Sequence, residues 1–490
     1  MKLSELLTVL PIYKTKNMCE QSVVRSVKMD NRQVSQDDLF VCIQGFTVDG
    51  HDFAENAVER GATVLVTERE LAIENAIQVI VPNTVRALAL LANKFYKYPT
   101  DKLRLVGITG TNGKTTTTYL LEKIFQHHKK STGLIGTIQL KIGEQTKALK
   151  NTTPDALELQ EYFAEMVEKE VDVAFMEVSS HALDLGRVYG ANFDIAVFTN
   201  LSQDHLDYHE TMEQYLDAKS LLFSGLGNAY HERSKVAILN EDDAHSELIK
   251  RRTMQSIVTY GIKNDADFRA INIENTIAGT SFTVLTPIGA IEIESQLNGI
   301  FNVYNMLAAI AVAYVEEVPL QTIKEALEAM NGVDGRFERV DIGQDYAVIV
   351  DYAHTPDSLE NVLQTIEQFA EEKIYTVVGS GGDRDRSKRP LMAEAALKYS
   401  DLAIFTSDNP RSEKPSAILK DMTNTLSKDH FEVIENREKA IQRAIQLAET
   451  GDVVLIAGKG HETYQEINGT RYDFDDRLVA KEAMRKKELK

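Results

Sequence analysis

Short apolar runs recur along the chain, and many end in glycine or polar residues just before a stretch with helical spacing. Runs at 103–109, 171–178, 194–199 and 235–240 alternate with helical patterns, which predicts parallel strands joined by helices. A weaker β pattern at 268–297 precedes an alanine-rich helix predicted over 302–315. The alternation returns after Gly335, with buried strands predicted at 347–351, 374–379, 402–406 and 453–457. Before residue 100 the pattern is mixed: apolar runs at 38–43, 62–66 and 78–81, a helix over 84–98, then a turn at Tyr98-Pro99-Thr100-Asp101. The fold class is α/β, with two successive α/β domains after the first hundred residues. Open sheets of this kind bind ligands beyond the carboxyl ends of their strands, so the chemistry is expected there.

The chain has 490 residues, more than the about 250–300 that one core usually serves, and three domains are expected. A composition of 43% hydrophobic and 26% charged residues fits folded domains rather than disorder. Lys and Arg number 54 against 74 Asp and Glu, a net charge of −20. So acidic a chain is no generic binder of nucleic acid or anionic membrane, and any phosphate it grips must be gripped locally. Two cysteines, Cys19 and Cys42, make neither a disulfide framework nor a metal knuckle and suit a reducing compartment. No run reaches the about 18 apolar residues of a membrane span. The expectation is a cytoplasmic monomer that neither inserts into membrane nor binds nucleic acid.

The strongest chemical signal follows the run at 103–109: Gly110-Thr111-Asn112-Gly113-Lys114-Thr115-Thr116, then a helix. Glycines let backbone amides wrap phosphate oxygens, and a helix start adds a positive dipole. Lys114 can serve the β- and γ-phosphates of ATP, and the Thr115 hydroxyl can ligate Mg²⁺. The usual spacing of such a loop is not met, because position 108 is Ile and Gly107 stands one residue too early. Strand-before and helix-after context favours an ATP site over a glycine-rich turn with an incidental lysine.

Glu177 ends a strand and is well placed for Mg²⁺, although a lone carboxylate there is ordinarily solvated or capping. The segment Asn200-Leu-Ser-Gln-Asp204-His205-Leu-Asp207-Tyr-His209 fits either a metal or phosphate site or a solvated loop. Lys219, taken alone, reads as an ordinary helix lysine.

Together these segments resemble the ATP-dependent Mur ligases. The matching pieces are GTNGKTT (110–116), NTTPD (151–155), MEVSSH (176–181), TNLSQDHLDYH (199–209), AKSLLF (218–223), GIFNVYN (299–305), GRFE (335–338), DYAHTPDS (351–358), GGDRDRSKRP (381–390), SDNPR (407–411) and GKGHE (458–462). They occur in family order from about residue 30 to 465, and the short loop spacing is the family's own form. The resemblance implies an N-terminal UDP-sugar-binding domain (1–100), a central P-loop-type ATPase (101–335) and a C-terminal Rossmann-like amino-acid-binding domain (336–490). It implies that ATP phosphorylates the terminal carboxylate of UDP-N-acetylmuramoyl-L-alanyl-D-glutamate, after which an amino acid's amine displaces phosphate. Two anions must first be brought together, so cations are needed between them.

By the same resemblance, Lys114, Lys219 and His205 are the catalytic set, with Lys219 carbamylated. The metal ligands are Thr115, Glu177, His205 and the Lys219 carbamate. ATP contacts are residues 110–116 with Asn302, Arg336, Asp351 and His354. Asn151, Thr152, Thr153, Ser179 and Arg187 resemble residues holding the muramoyl peptide, and Phe46, Thr47 and Val48 a uridine-end loop. Asn31 stands where the family often has serine, and Leu185 where it often has glutamine; both weaken the sugar-nucleotide match and leave the ATP chemistry untouched.

Asp408-Asn409-Pro410-Arg411 resembles the signature of family members that add meso-diaminopimelate; lysine-adding members carry an uncharged residue at the arginine position. A distal carboxylate suits a bidentate guanidinium, whereas a lysine ammonium would be repelled by Arg411. Arg384, Gly458 and Glu462 match other contacts there, and Glu462 can accept the distal ammonium. The alternative is that Arg411 caps a loop or pairs locally. Rival functions are the lysine-adding form, a folylpolyglutamate-type ligase, which should lack the DNPR and GKGHE pairing, and a P-loop NTPase switch indifferent to amino acids. A catalytically dead sugar-nucleotide binder is disfavoured by intact Lys114, Thr115 and Glu177.

Overall fold

The apolar runs form strands close to where their spacing puts them, at Arg104–Thr109, Val173–Glu177, Ile195–Phe198 and Val236–Asn240. Every residue of Val173–Glu177 and of Val236–Asn240 is buried, because helices cover both faces of a parallel sheet. This computed structural model describes all residues except 20, 46–47, 229–233, 277, 428–429 and 489–490. The uridine-end expectation at Phe46 and Thr47 therefore lies outside the described residues.

Three sheets follow one another along the chain. The first has five strands in the order Lys14–Lys16, Ile77–Ile80, Ala62–Thr67, Asp38–Val41, Val27–Lys28, parallel apart from Lys14–Lys16. The opening hundred residues, which read as a mixed pattern, thus carry a parallel sheet of their own. The helix expected over 84–98 ends at Phe95, and Tyr98 turns left-handed (φ 53°) ahead of Pro99. A residue preceding proline is excluded from helical geometry by the ring, which moves the boundary inward.

The central sheet has eleven strands. Arg104–Thr109 lies between Ile195–Phe198 and Val173–Glu177, parallel to both. After Arg104–Thr109 the chain builds one side of the sheet, then crosses to the other at Ile195–Phe198, so the topology switches around the strand that delivers the glycine loop. A crevice opens at such a point. Val106 and Ile108 pack into the core on one face of the sheet, and Leu105 into the core on the other. At Gly107 a Cβ would meet the Phe193 ring at 2.7 Å, so only glycine fits between strand and ring. The β-rich stretch becomes an antiparallel meander, Phe268–Thr276, Gly279–Thr286 and Gly289–Ser295. The helix Ile300–Val315 is apolar on most sides because it packs against both this sheet and the helix Lys114–His127.

The third sheet orders Glu338–Arg339, Ala347–Asp351, Val453–Ala457, Ile374–Val378, Leu402–Phe405 and Phe431–Val433, all parallel except the first. A hairpin, Tyr464–Ile467 with Thr470–Asp473, follows it. Among the described residues no helix is long and apolar enough to cross a membrane.

One ion pair in this third unit is completely buried. Arg437 Nε and Nη2 donate to the two Asp476 oxygens at 2.8 and 2.7 Å, joining the helices Arg437–Leu447 and Asp476–Glu488. Asp476→Asn would leave the buried guanidinium without its anion. We expect a loss of about 3–5 kcal/mol in urea unfolding; a loss under about 1 kcal/mol would show that the pair is structurally dispensable.

Candidate active site

The glycine loop is built by its neighbours. Gly110 (φ 147°) and Gly113 (φ 88°) sit where a Cβ would collide with Thr199 Oγ1 and Asn305 Oδ1 respectively. Asn200, just past the strand Ile195–Phe198, accepts the Thr111 amide on its carbonyl (2.8 Å) and the Asn112 amide on its side chain (2.9 Å). Those two amides are thus turned inward, and the first-turn amides of Lys114–His127, which lack intrahelical partners, face the cleft. This changes the expected contribution of Thr111 and Asn112: they line the cleft with backbone amides already engaged.

Two lysines converge on one oxygen. Lys114 Nζ and Lys219 Nζ donate to the Gly110 carbonyl at 2.8 and 2.9 Å, and Lys114 also bonds the Thr111 carbonyl. Lys219 is no ordinary helix lysine: it is buried, and its ammonium lies 4.2 Å from the Tyr215 ring centroid, one turn earlier on the helix Met212–Ser224. Burial pushes both lysines below their ordinary range, and Lys114 adds to the effect at Lys219. Glu177 accepts from Thr115 Oγ1 (3.0 Å), Thr137 Oγ1 (3.0 Å) and the Thr137 amide (2.9 Å). Arg336 then reaches over from the third unit, donating to Thr115 Oγ1 at 3.0 Å with its guanidinium 4.4 Å from the Tyr352 ring centroid.

His205 adopts a left-handed backbone (φ 56°) and stands edge-on to His181, centroids 4.8 Å apart. Burial, reinforced by His181 and the two lysines, outweighs Asp204 and pushes its imidazole well below the usual range. Burial thus favours the neutral imidazole of His205, the form that can ligate a metal. Asp204 faces His354 (3.7 Å) and Lys388 (3.4 Å), and the hydrogen bond from His354 with the Lys388 charge opposes its burial and holds the carboxylate below its usual range.

One cleft of about 640 Å³ is lined by Thr111–Thr116, Asn151, Thr152, Thr153, Glu177, Ser179, Arg187, His205, Lys219, Arg336, Asp351, His354 and Arg384. Thr153 Oγ1 bonds the Glu177 carbonyl (2.8 Å), and Arg187 bonds the Thr153 carbonyl (3.1 Å), so the expected peptide-side set is tied directly to the loop side. Asp351 is committed to the Phe337 and Ala353 amides, and its burial raises its pKa. Asn302 is buried behind the wall, bonded to the Asn298 carbonyl and to Asn305, and Asn305 faces the cleft in its place. Asn31 bonds Asn56 on the helix Ala54–Glu59 beside the first sheet, and Val48 is exposed; neither lines this cleft.

The remaining expected residues gather beside Arg384. Arg411, left-handed at φ 50°, donates Nη1 to the Gly382 carbonyl at 2.6 Å. Asn409 donates to Glu462 (2.8 Å), and a Cβ on Gly458 would come within 2.7 Å of the Asp408 carboxylate. Pro410 joins Asn409 to Arg411 in this tight loop. The hairpin Tyr464–Ile467/Thr470–Asp473 clamps it: Gln465 donates to the Asp408 carbonyl (2.6 Å), Arg411 N bonds Glu466 O, and Asn468 N bonds Arg411 O. Sequence reasoning missed this hairpin, although Asn468-Gly469 between alternating residues is a hairpin signal. Thr137 and Tyr215 were missed as well, with no local pattern to mark them, and Asn200 and Asn305 were read only within longer matched pieces, with no role of their own.

The chain matches the sequence profiles described as Mur ligase family, catalytic domain (23–96), Mur ligase middle domain (108–313) and Mur ligase, glutamate ligase domain (335–460). It is 57% identical to the UDP-N-acetylmuramoyl-L-alanyl-D-glutamate--2,6-diaminopimelate ligase of Oceanobacillus iheyensis, over 99% of this chain and 100% of that protein. The protein of the same name from Listeria monocytogenes is 51% identical over 99% of each. A solved structure titled with that enzyme name superposes with a TM-score of 0.71 at 33% identity over all of both chains. The MurF ligase from Thermotoga maritima in complex with ADP shares the fold, with a TM-score of 0.67 at 18% identity over 95% of this chain and 98% of that one. From its first sheet to its hairpin-clamped loop, this chain belongs to the Mur ligase family.

Proposed function

We propose that the protein joins meso-diaminopimelate to UDP-N-acetylmuramoyl-L-alanyl-D-glutamate at the expense of ATP, a step of peptidoglycan synthesis. The observation that carries this reading is the single cleft whose wall holds the glycine loop at one end and Arg384 at the other. A carboxylate is a poor electrophile until one of its oxygens becomes part of a leaving group. Transfer of the γ-phosphoryl to that oxygen forms an acyl-phosphate and releases ADP. The amine of the incoming amino acid then forms the C–N bond as phosphate leaves and the nitrogen loses a proton.

In this reading Lys114 and Arg336 stabilise the transferring phosphoryl group. Thr115 Oγ1 and Glu177 Oε2, 3.0 Å apart, are hard oxygen donors that suit Mg²⁺, with His205 and a Lys219 carbamate as further ligands. Bound Mg²⁺ supplies charge neutralisation between the phosphate and the carboxylate. Burial favours the uncharged amine of Lys219, the form that adds to CO₂ with loss of a proton. Thr152, Thr153, Ser179 and Arg187 hold the muramoyl peptide, and Arg411 receives the distal carboxylate of the amino acid.

Phosphate release in the presence of ATP, Mg²⁺ and the muramoyl dipeptide is expected to rise with meso-diaminopimelate and not with lysine; the reverse preference defeats the specificity. Arg411→Ala should raise the KM for the amino acid by about tenfold or more while that for ATP stays near wild type; equal changes would make Arg411 structural. Lys219→Ala should lose activity that added short carboxylates partly restore, and full activity in that variant removes Lys219 from the site.

A further inference from the structure

Lys459 lies between two residues assigned to the amino-acid end and is itself assigned nothing. Its side chain is completely buried, and its ammonium donates to Asn409 Oδ1 at 3.1 Å and to Glu462 Oε2 at 3.0 Å. Asn409 Nδ2 donates to the same Glu462 oxygen at 2.8 Å, which closes a triangle of three side chains. Both donors thus fall on Oε2, and no bond falls on Oε1 among the described residues. The Glu462 side chain is 16% exposed, enough to present that second oxygen to a ligand.

Asp408, Glu462 and Asp476 are carboxylates, whereas Lys459 and Arg437 are the buried cations among them. Arg411 also acts on Asp408, so the cluster pairs its carboxylates with cations and leaves the second Glu462 oxygen as the acceptor without a bond. A buried lysine ammonium is costly unless its acceptors are fixed, so the triangle constrains Glu462 as firmly as Glu462 stabilises the lysine.

We propose that Lys459 is a positioning residue for the distal amino group of the incoming amino acid, holding Glu462 by one oxygen so that the other is aimed at that ammonium. This deepens the proposed function and rests on its assignment of Glu462 to the amino-acid end. A consequence concerns Asp408. Burial alone would raise its pKa, but Lys459 first, then Arg437, the Asn409 amide and Arg411 hold it below the usual carboxylate range. Loss of the Lys459 charge removes the largest of these opposing effects, so the Asp408 pKa rises.

The test uses the full-length enzyme with ATP, Mg²⁺, the muramoyl dipeptide and meso-diaminopimelate. Lys459→Met is expected to raise the KM for meso-diaminopimelate by about tenfold or more, with the KM values for ATP and the dipeptide within about twofold of wild type. Lys459→Arg, which keeps a charged donor, is expected to retain more of the wild-type affinity for meso-diaminopimelate than Lys459→Met does. Should Lys459→Met fail to fold, Lys459→Gln, which keeps a donor and drops the charge, carries the same measurement. Equal rises in all three KM values, or an unchanged KM for meso-diaminopimelate in the uncharged variants, overturn the proposal. Absence of diaminopimelate-dependent ligation in the wild-type protein would instead remove the underlying function.

Discussion

Two ammonium groups sharing one carbonyl oxygen, Lys219 buried and Lys114 partly so, form the constraint around which this molecule is arranged. Lys114 and Lys219 meet at Gly110, in a chain whose net charge is −20. Like charges buried together favour proton loss, and both lysines are pushed that way. Arriving phosphate reverses the balance at Lys114, because an anion beside it favours the charged form. The positive charge of this cleft is thus local, set by Lys114, Lys219 and Arg336 in a protein whose overall charge is −20.

That arrangement depends on groups remote in the chain. Asn200 fixes the loop from one neighbouring strand end, Glu177 fixes Thr115 from the other, and Arg336 adds a cation from the third unit. Contacts between Asn112 and Asp357 and between Lys388 and Asp204 hold the third unit against the loop. Chemistry that joins two anions needs water kept out and cations kept close, and this docking serves both needs.

The amino-acid end is built differently, by rigidity. Arg411 occupies a left-handed backbone conformation that costs a non-glycine residue energy, and hairpin bonds on both sides of it hold it there. The guanidinium is then aimed by its backbone rather than by a flexible side chain alone. Behind it, the buried pair Arg437–Asp476 ties two helices under the strand Val453–Ala457, and Arg437 Nη2 holds the Ala457 carbonyl just before Gly458.

Local signals were sufficient for much of this. Apolar runs buried on both faces declare parallel strands by composition alone, and Gly110 and Gly113 declare the loop because no other residue tolerates their backbone. Arg411 and Glu462 stood out by motif. Other features depended on partners that are distant in sequence: the inward turn of the Thr111 and Asn112 amides, the neutral form favoured at His205, the burial of Lys219, and the replacement of Asn302 by Asn305 at the cleft wall. Each is set by what packs against the residue, and desolvation and hydrogen-bond competition act through space. The sequence determined which strands, loops and chemical groups exist; the tertiary structure decided their charge states and which of their atoms remain available to a ligand.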